Sequence, residues 1–158
     1  RQVMELVLEN CDSVDAAIDF IHESPKFANN AGTCYLLADN REAVIIEMGV
    51  TKSCLRKPEE GILVASNALL TSVAREMKSS DSTALTRYNF ARKYLYENKG
   101  KVDDKLMRQL LSDHSGLVCA HNEVNTLRSV VAKTSERKMS ITDGHPCTAR
   151  FKEISIPK

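Results

Sequence analysis

Gly61-Ile62-Leu63-Val64-Ala65-Ser66-Asn67 is a short, nearly continuous apolar run that stops at a single asparagine. Bounded by glycine, such a run reads as a sheet strand with water on neither face. Asn67 would then stand at the strand's mouth, its amide offering two N–H donors and one acceptor. An amide in that place either braces a turn or points at an oxygen that gains negative charge during acyl transfer. The residues alone leave both readings open.

Upstream of this run, residues 33–38 and 43–48 are β-leaning segments separated by Asp39-Asn40, which reads as a hairpin. Before the hairpin, residues 3–8 suggest a short helix ending near Asn10. Ser13 is placed to cap a second helix whose Val14, Ala17, Ile18 and Ile21 share one face. Pro25 would close that helix, and Asn29-Asn30 suits a tight turn. Downstream, residues 68–82 give no clear element and end in Ser79-Ser80-Asp81-Ser82. Residues 83–98 read as a helix with a stripe of Leu85, Tyr88, Ala91, Tyr94 and Leu95, ended by Gly100. Asp103-Asp104 opens another helix, acidic at the positive end of its dipole, with Leu106, Met107, Leu110 and Leu111 on the buried face. Strands are expected at 117–120, 127–133 and 138–142, with a fourth at 151–156. Helices, strands, helices, strands, without regular alternation, predict an α+β fold: a largely antiparallel sheet with helices packed on it.

The chain has 158 residues, enough for one domain (1–158) with a proper core. Lys and Arg number 22 against 21 Asp and Glu, so no global field draws nucleic acid or an acidic membrane. No apolar segment approaches the roughly 18 residues that span a bilayer. Arg1 has no charged-then-apolar leader behind it, so no targeting signal is read, and the start suggests an incomplete or processed chain. Five scattered cysteines with no CxxC pair point to free thiols in a reducing compartment, which favours the cytoplasm.

Four groups of residues suggest chemistry. Asp113-His114-Ser115 holds the residue types of a triad, but three adjacent residues cannot converge as one; they read as a helix end. His114, Cys119, His121, His145 and Cys147 are metal-binding types, but their spacing fits no zinc pattern, and no metal or cofactor is expected from it. Cys34 would become an amino-terminal nucleophile if the chain were cut after Thr33; in an apolar strand a cysteine is more often inert packing. Asn67 and Ser129 remain, and taken alone both favour a structural role.

Several short motifs fall in one order: Tyr35-Leu-Leu-Ala-Asp39 with Glu42-Ala-Val-Ile-Ile-Glu47; Ala65-Ser66-Asn67; Leu111-Ser-Asp-His114 with Val118-Cys-Ala-His121; Thr126-Leu-Arg-Ser129; and Asp143-Gly-His-Pro-Cys147 leading to Phe151. In that order they resemble the acyl-CoA:6-aminopenicillanic acid acyltransferase family, a branch of the N-terminal nucleophile hydrolases that includes bile-salt-hydrolase-like amidases. The resemblance implies a four-layer αββα sandwich, matured by self-cleavage that frees a cysteine nucleophile at a new amino terminus. It places that cysteine upstream of this chain, which would be the C-terminal part of the catalytic subunit and inactive alone, with sheet edges or an apolar face left uncovered. It aligns Asn67 with the oxyanion-stabilising asparagine and sets Ser129 near the pocket. Relatives often carry histidine after that asparagine; here it is Ala68.

The implied substrate is a small-molecule amide or acyl-CoA-like thioester, and the implied partner is the missing N-terminal part. A non-catalytic interaction domain on the same scaffold, or a self-sufficient hydrolase using Cys34, are the alternatives.

Overall fold

The computed structural model describes residues 3–23, 32–77, 82–121 and 125–155. Pro25, the Asn29-Asn30 turn, Ser79 to Asp81 and residue 156 lie outside them. The chain forms two compact units, Arg1–Ala84 and Leu85–Lys158. The described part is α+β, with one small antiparallel sheet in each unit. No helix among the described residues is long and apolar enough to cross a membrane.

In the first unit, α1 (Val3–Asn10) and α2 (Val14–Glu23) precede a meander of β1 (Cys34–Ala38), β2 (Ala43–Met48) and β3 (Ser53–Arg56), in spatial order β1-β2-β3. The expected hairpin is present, with Leu36 opposite Ile45 and Ala38 opposite Ala43. Asp39 makes its turn: one carboxylate oxygen accepts from the N–H groups of Arg41 and Glu42, and the other from Val14 at the start of α2. Ser13 caps α2 as expected, its hydroxyl accepting from the Ala16 N–H at 3.3 Å. The alternation of β2 sends Val44, Ile46 and Met48 to one face, where Val7, Val14, Ala17, Ile21 and Leu37 complete the core. Ile45 and Glu47 point to the opposite face, and neither has exposed surface.

The strand with water on neither face is therefore β2, not residues 61–66. That run is a correction to the sequence reading: beyond a single bridge between Glu59 and Ile62 it is irregular and half-buried. Side chains take the carbonyls that a ladder would have used. Arg56 Nη2 donates to the Val64 carbonyl at 2.9 Å and Cys34 Sγ to that of Ser66 at 3.1 Å. Both donors stand on the Glu47 face of the sheet, so the run lies across a face instead of pairing along an edge. β3, too short and polar to show a pattern, occupies the edge.

A short helix, α3 (Ala74–Met77), follows, and α4 (Ser82–Glu97) begins as the first unit ends. In the second unit, α5 (Asp104–Leu111) is capped by Asp103, which accepts from the Leu106 N–H at 2.8 Å. β4 (Val130–Lys133), β5 (Lys138–Ile141) and β6 (Lys152–Ser155) form the second meander, with Val131 opposite Ser140 and Ala132 opposite Met139. Arg108 ties α5 to it, donating to Ser140 at 3.1 Å and lying over the Phe151 ring. Val131 and Ser140 are buried on that face. The other face carries Val130, Ala132, Met139, Ile141 and Ile154, and both Val130 and Ile154 are exposed.

The strand expected at 117–120 is a turn, because the Leu117 N–H returns to the His114 carbonyl and Leu117 takes a left-handed φ of 56°. Gly116 is buried beneath Phe90 of α4, and a β-carbon there would overlap the ring.

Candidate functional site

Asn67 is exposed, and the chain on both sides of it is fastened. Before it, the Ser66 carbonyl accepts from Cys34, and the Ser66 hydroxyl accepts from the Ala68 N–H at 3.1 Å. After it, Leu69 is buried and the N–H groups of Leu70 and Thr71 converge on one Glu47 oxygen, each at 2.9 Å. The Thr71 hydroxyl adds a third bond at 2.8 Å, and Arg56 forms an ion pair with the other Glu47 oxygen, its Nε 2.8 Å away. A buried carboxylate needs such a set, since an unpaired charge inside a protein is costly. Glu47 thus anchors the loop that presents the Asn67 amide, a link that sequence reasoning missed because nothing in an apolar strand marks its one acid as a clamp.

Cys34 and Cys54 stand on either side of Glu47 in the same row of the sheet. Burial, with the Glu47 carboxylate adding to it, pushes the Cys34 thiol up; the Arg56 cation offsets only part of this. Cys34 is therefore poorly prepared to act as a thiolate nucleophile. Hydrogen bonds from Ser72 and Thr71 draw the Cys54 thiol down.

In the second unit, Ser129 is buried one step before β4. Its N–H donates to the Thr142 hydroxyl at 2.9 Å and its carbonyl accepts from the Thr142 N–H at 3.0 Å, extending the β4–β5 pairing. Asn67 and Ser129 fall in different units. Neither lines the concavity of about 230 Å³ between α1 and β1, which Met4, Val7, Cys11 and Leu37 help to wall. Nor do they line the shallower one beside α5, where Arg108, Gln109 and Phe151 stand.

Asp113 and His114 follow the end of α5, as expected. Asp113 caps the next turn, accepting from the Gly116 N–H at 2.9 Å, and forms no triad. The spacing of the metal-type residues matched no pattern, yet the fold gathers four of them. One ligand atom from each of His114, Cys119, His121 and Cys147 lies within 4.8 Å of the others. His121 Nε2 is 3.4 Å from Cys119 Sγ and 3.2 Å from Cys147 Sγ. The His114 and His121 rings meet edge to face, with centroids 4.9 Å apart, and His145 stacks on His121 at 4.0 Å. His145 Nδ1 is buried and has no hydrogen-bond partner among the described residues. Burial and the neighbouring imidazoles of His145 and His114 pull the His121 pKa down; burial and Cys147 push the Cys119 thiol up.

No curated protein matches the sequence closely enough to count as a relative. The model of the acyl-coenzyme A:6-aminopenicillanic acid acyl-transferase family matches residues 3–147, a span that takes in both units, both loops just described and all but the last strand. The chain belongs to the acyl-coenzyme A:6-aminopenicillanic acid acyl-transferase family.

Proposed function

We propose that this chain is the C-terminal part of an N-terminal cysteine nucleophile enzyme that moves or hydrolyses acyl groups held in linear amides or acyl thioesters. The family match over residues 3–147 carries the reading. It is supported by the exposed amide of Asn67, held between two fastened flanks, and by the raised thiol of Cys34, which speaks against Cys34 as the nucleophile. In this scheme the upstream thiol attacks the substrate carbonyl while the α-amine of the same residue takes its proton. Asn67 donates an N–H to the tetrahedral oxyanion. The intermediate collapses to an acyl-enzyme thioester and expels an amine or thiol that collects the proton; water or an amine then takes the acyl group. Ser129 serves as a pocket residue in the same scheme. The two three-stranded sheets would be parts of a four-layer αββα sandwich, which the exposed apolar face bearing Val130 and Ile154 favours.

The test is Asn67→Ala in the protein expressed from its whole coding sequence. Loss of one oxyanion donor is expected to lower kcat roughly a hundredfold to a thousandfold, with a much smaller rise in KM. An unchanged kcat would remove Asn67 from the reaction. Intact-mass measurement on the same preparation is expected to show cleavage immediately before a cysteine upstream of Arg1. An uncut chain with another residue there would favour a non-catalytic interaction domain.

A further inference from the structure

We infer that His114, Cys119, His121 and Cys147 form a closed, four-ligand binding site for a zinc ion. The inference rests on geometry in the second unit and is independent of the role proposed for Asn67. With bonds of about 2.3 Å to sulfur and about 2.0–2.1 Å to nitrogen, a tetrahedral ion sets sulfur and nitrogen ligands roughly 3.5 Å apart. The two sulfur–nitrogen separations from His121, 3.4 and 3.2 Å, already have that span. The whole set lies within 4.8 Å, so full closure asks for ligand movements of roughly 1 Å.

The ligand types select the ion. Two thiolates and two imidazoles suit zinc, whereas magnesium and calcium take oxygen ligands. Four protein ligands leave no open position, which makes the site structural rather than catalytic. Each thiol gives up its proton to solvent as it binds.

Hydrogen bonds of the chain itself hold the segments around the ligands. Cys119 N–H donates to the Asp113 carbonyl at 2.8 Å, and the Thr126 hydroxyl joins the Ala120 N–H to the Val118 carbonyl. Ser112 holds the Pro146 carbonyl at 2.9 Å, which sets Cys147 against the first three ligands. These segments, 112–121 and 142–151, contain almost no regular structure beyond the end of the cap of α5. An ion shared between them supplies the crosslink that a ladder supplies elsewhere. His145 flanks the set by stacking on His121 and is not one of the four.

The experiment is elemental analysis of the reduced protein purified from zinc-supplemented cells, together with the absorption spectrum of the cobalt(II)-substituted form. About one equivalent of zinc and a tetrahedral cobalt spectrum with thiolate charge-transfer bands are expected. Cys119→Ser and Cys147→Ser should each weaken zinc binding by roughly tenfold or more, while His145→Ala keeps the stoichiometry. Because a variant can fail to fold, the wild-type measurement decides alone. A folded, reduced wild-type protein that takes up no zinc overturns the proposal, as does an octahedral cobalt spectrum without thiolate bands. A Cys119–Cys147 disulfide in protein kept under reducing conditions, seen as a mass lower by two hydrogens, would make the cluster a redox pair and also overturn it.

Discussion

Glu47 has no exposed surface, yet three hydrogen-bond donors from residues 70 and 71 and the cation of Arg56 meet on its two oxygens. Two are backbone groups that any sequence would carry, so the acceptor decides where residues 70 and 71 rest. Replacing it by alanine strips Arg56 of its buried carboxylate partner and leaves two loop N–H groups facing an apolar gap. Glu47→Ala is expected to cost about 3–5 kcal/mol of folding free energy, read from the urea midpoint at constant slope. A cost below about 1 kcal/mol would mean that water reaches the site and replaces the carboxylate. The same substitution should loosen the loop bearing Asn67, since both its downstream tethers go through this side chain.

At the level of elements, Asp39 joins the β1–β2 turn to the amino terminus of α2 through three backbone N–H groups. Those of Glu42, Arg41 and Val14, in that order, hold its carboxyl below the usual carboxylate range. A group whose pKa is lower folded than unfolded stabilises the fold while it is ionised. That contribution is in place above the ordinary aspartate value of about 3.9 and is lost as pH falls through the folded value. Asp39→Asn is therefore expected to be less stable than the parent at neutral pH, the difference shrinking as the pH is lowered from about 5 to about 3. Urea midpoints of both proteins across that window check it; a constant difference would assign the effect to shape alone.

The elements also show what the sequence made legible. The hairpin, both N-terminal helices and the helix opened by Asp103-Asp104 follow from alternation, helical spacing and polar or acidic helix starts, and each appears where those signals put it. Two apolar runs misled. Residues 61–66 and 117–120 are as apolar as strands, but a run reveals burial without revealing what its carbonyls bond, and here side chains and turns take them. The four His and Cys residues are legible as metal-binding types but not as a converging set, because their separations along the chain, set by turns at Leu117 and Gly144, match no repeating ligand pattern. Asn67 is singled out by its place at the end of an apolar run, and its alignment with an oxyanion asparagine comes from the order of motifs.

For the molecule as a whole, the second sheet turns one apolar face to solvent, with Val130 and Ile154 each about half exposed (48% and 47%). Clustered exposure of this kind marks a surface that is covered in use or that sticks when uncovered. Val130→Thr with Ile154→Thr should raise the concentration at which the isolated chain stays monodisperse, with little change in its unfolding midpoint; light scattering against concentration measures it. In a protein carrying the upstream part, the same pair should cost stability, because that face would then be packed.

Phe90 and Gly116 make no bond to each other, but the ring fills the volume that any side chain at position 116 would need. A larger residue at 116 is tolerable only with a smaller one at 90, so substitutions at these positions are coupled by excluded space. Through that coupling α4, which carries none of the four metal-type residues, limits where His114 and Cys119 can stand.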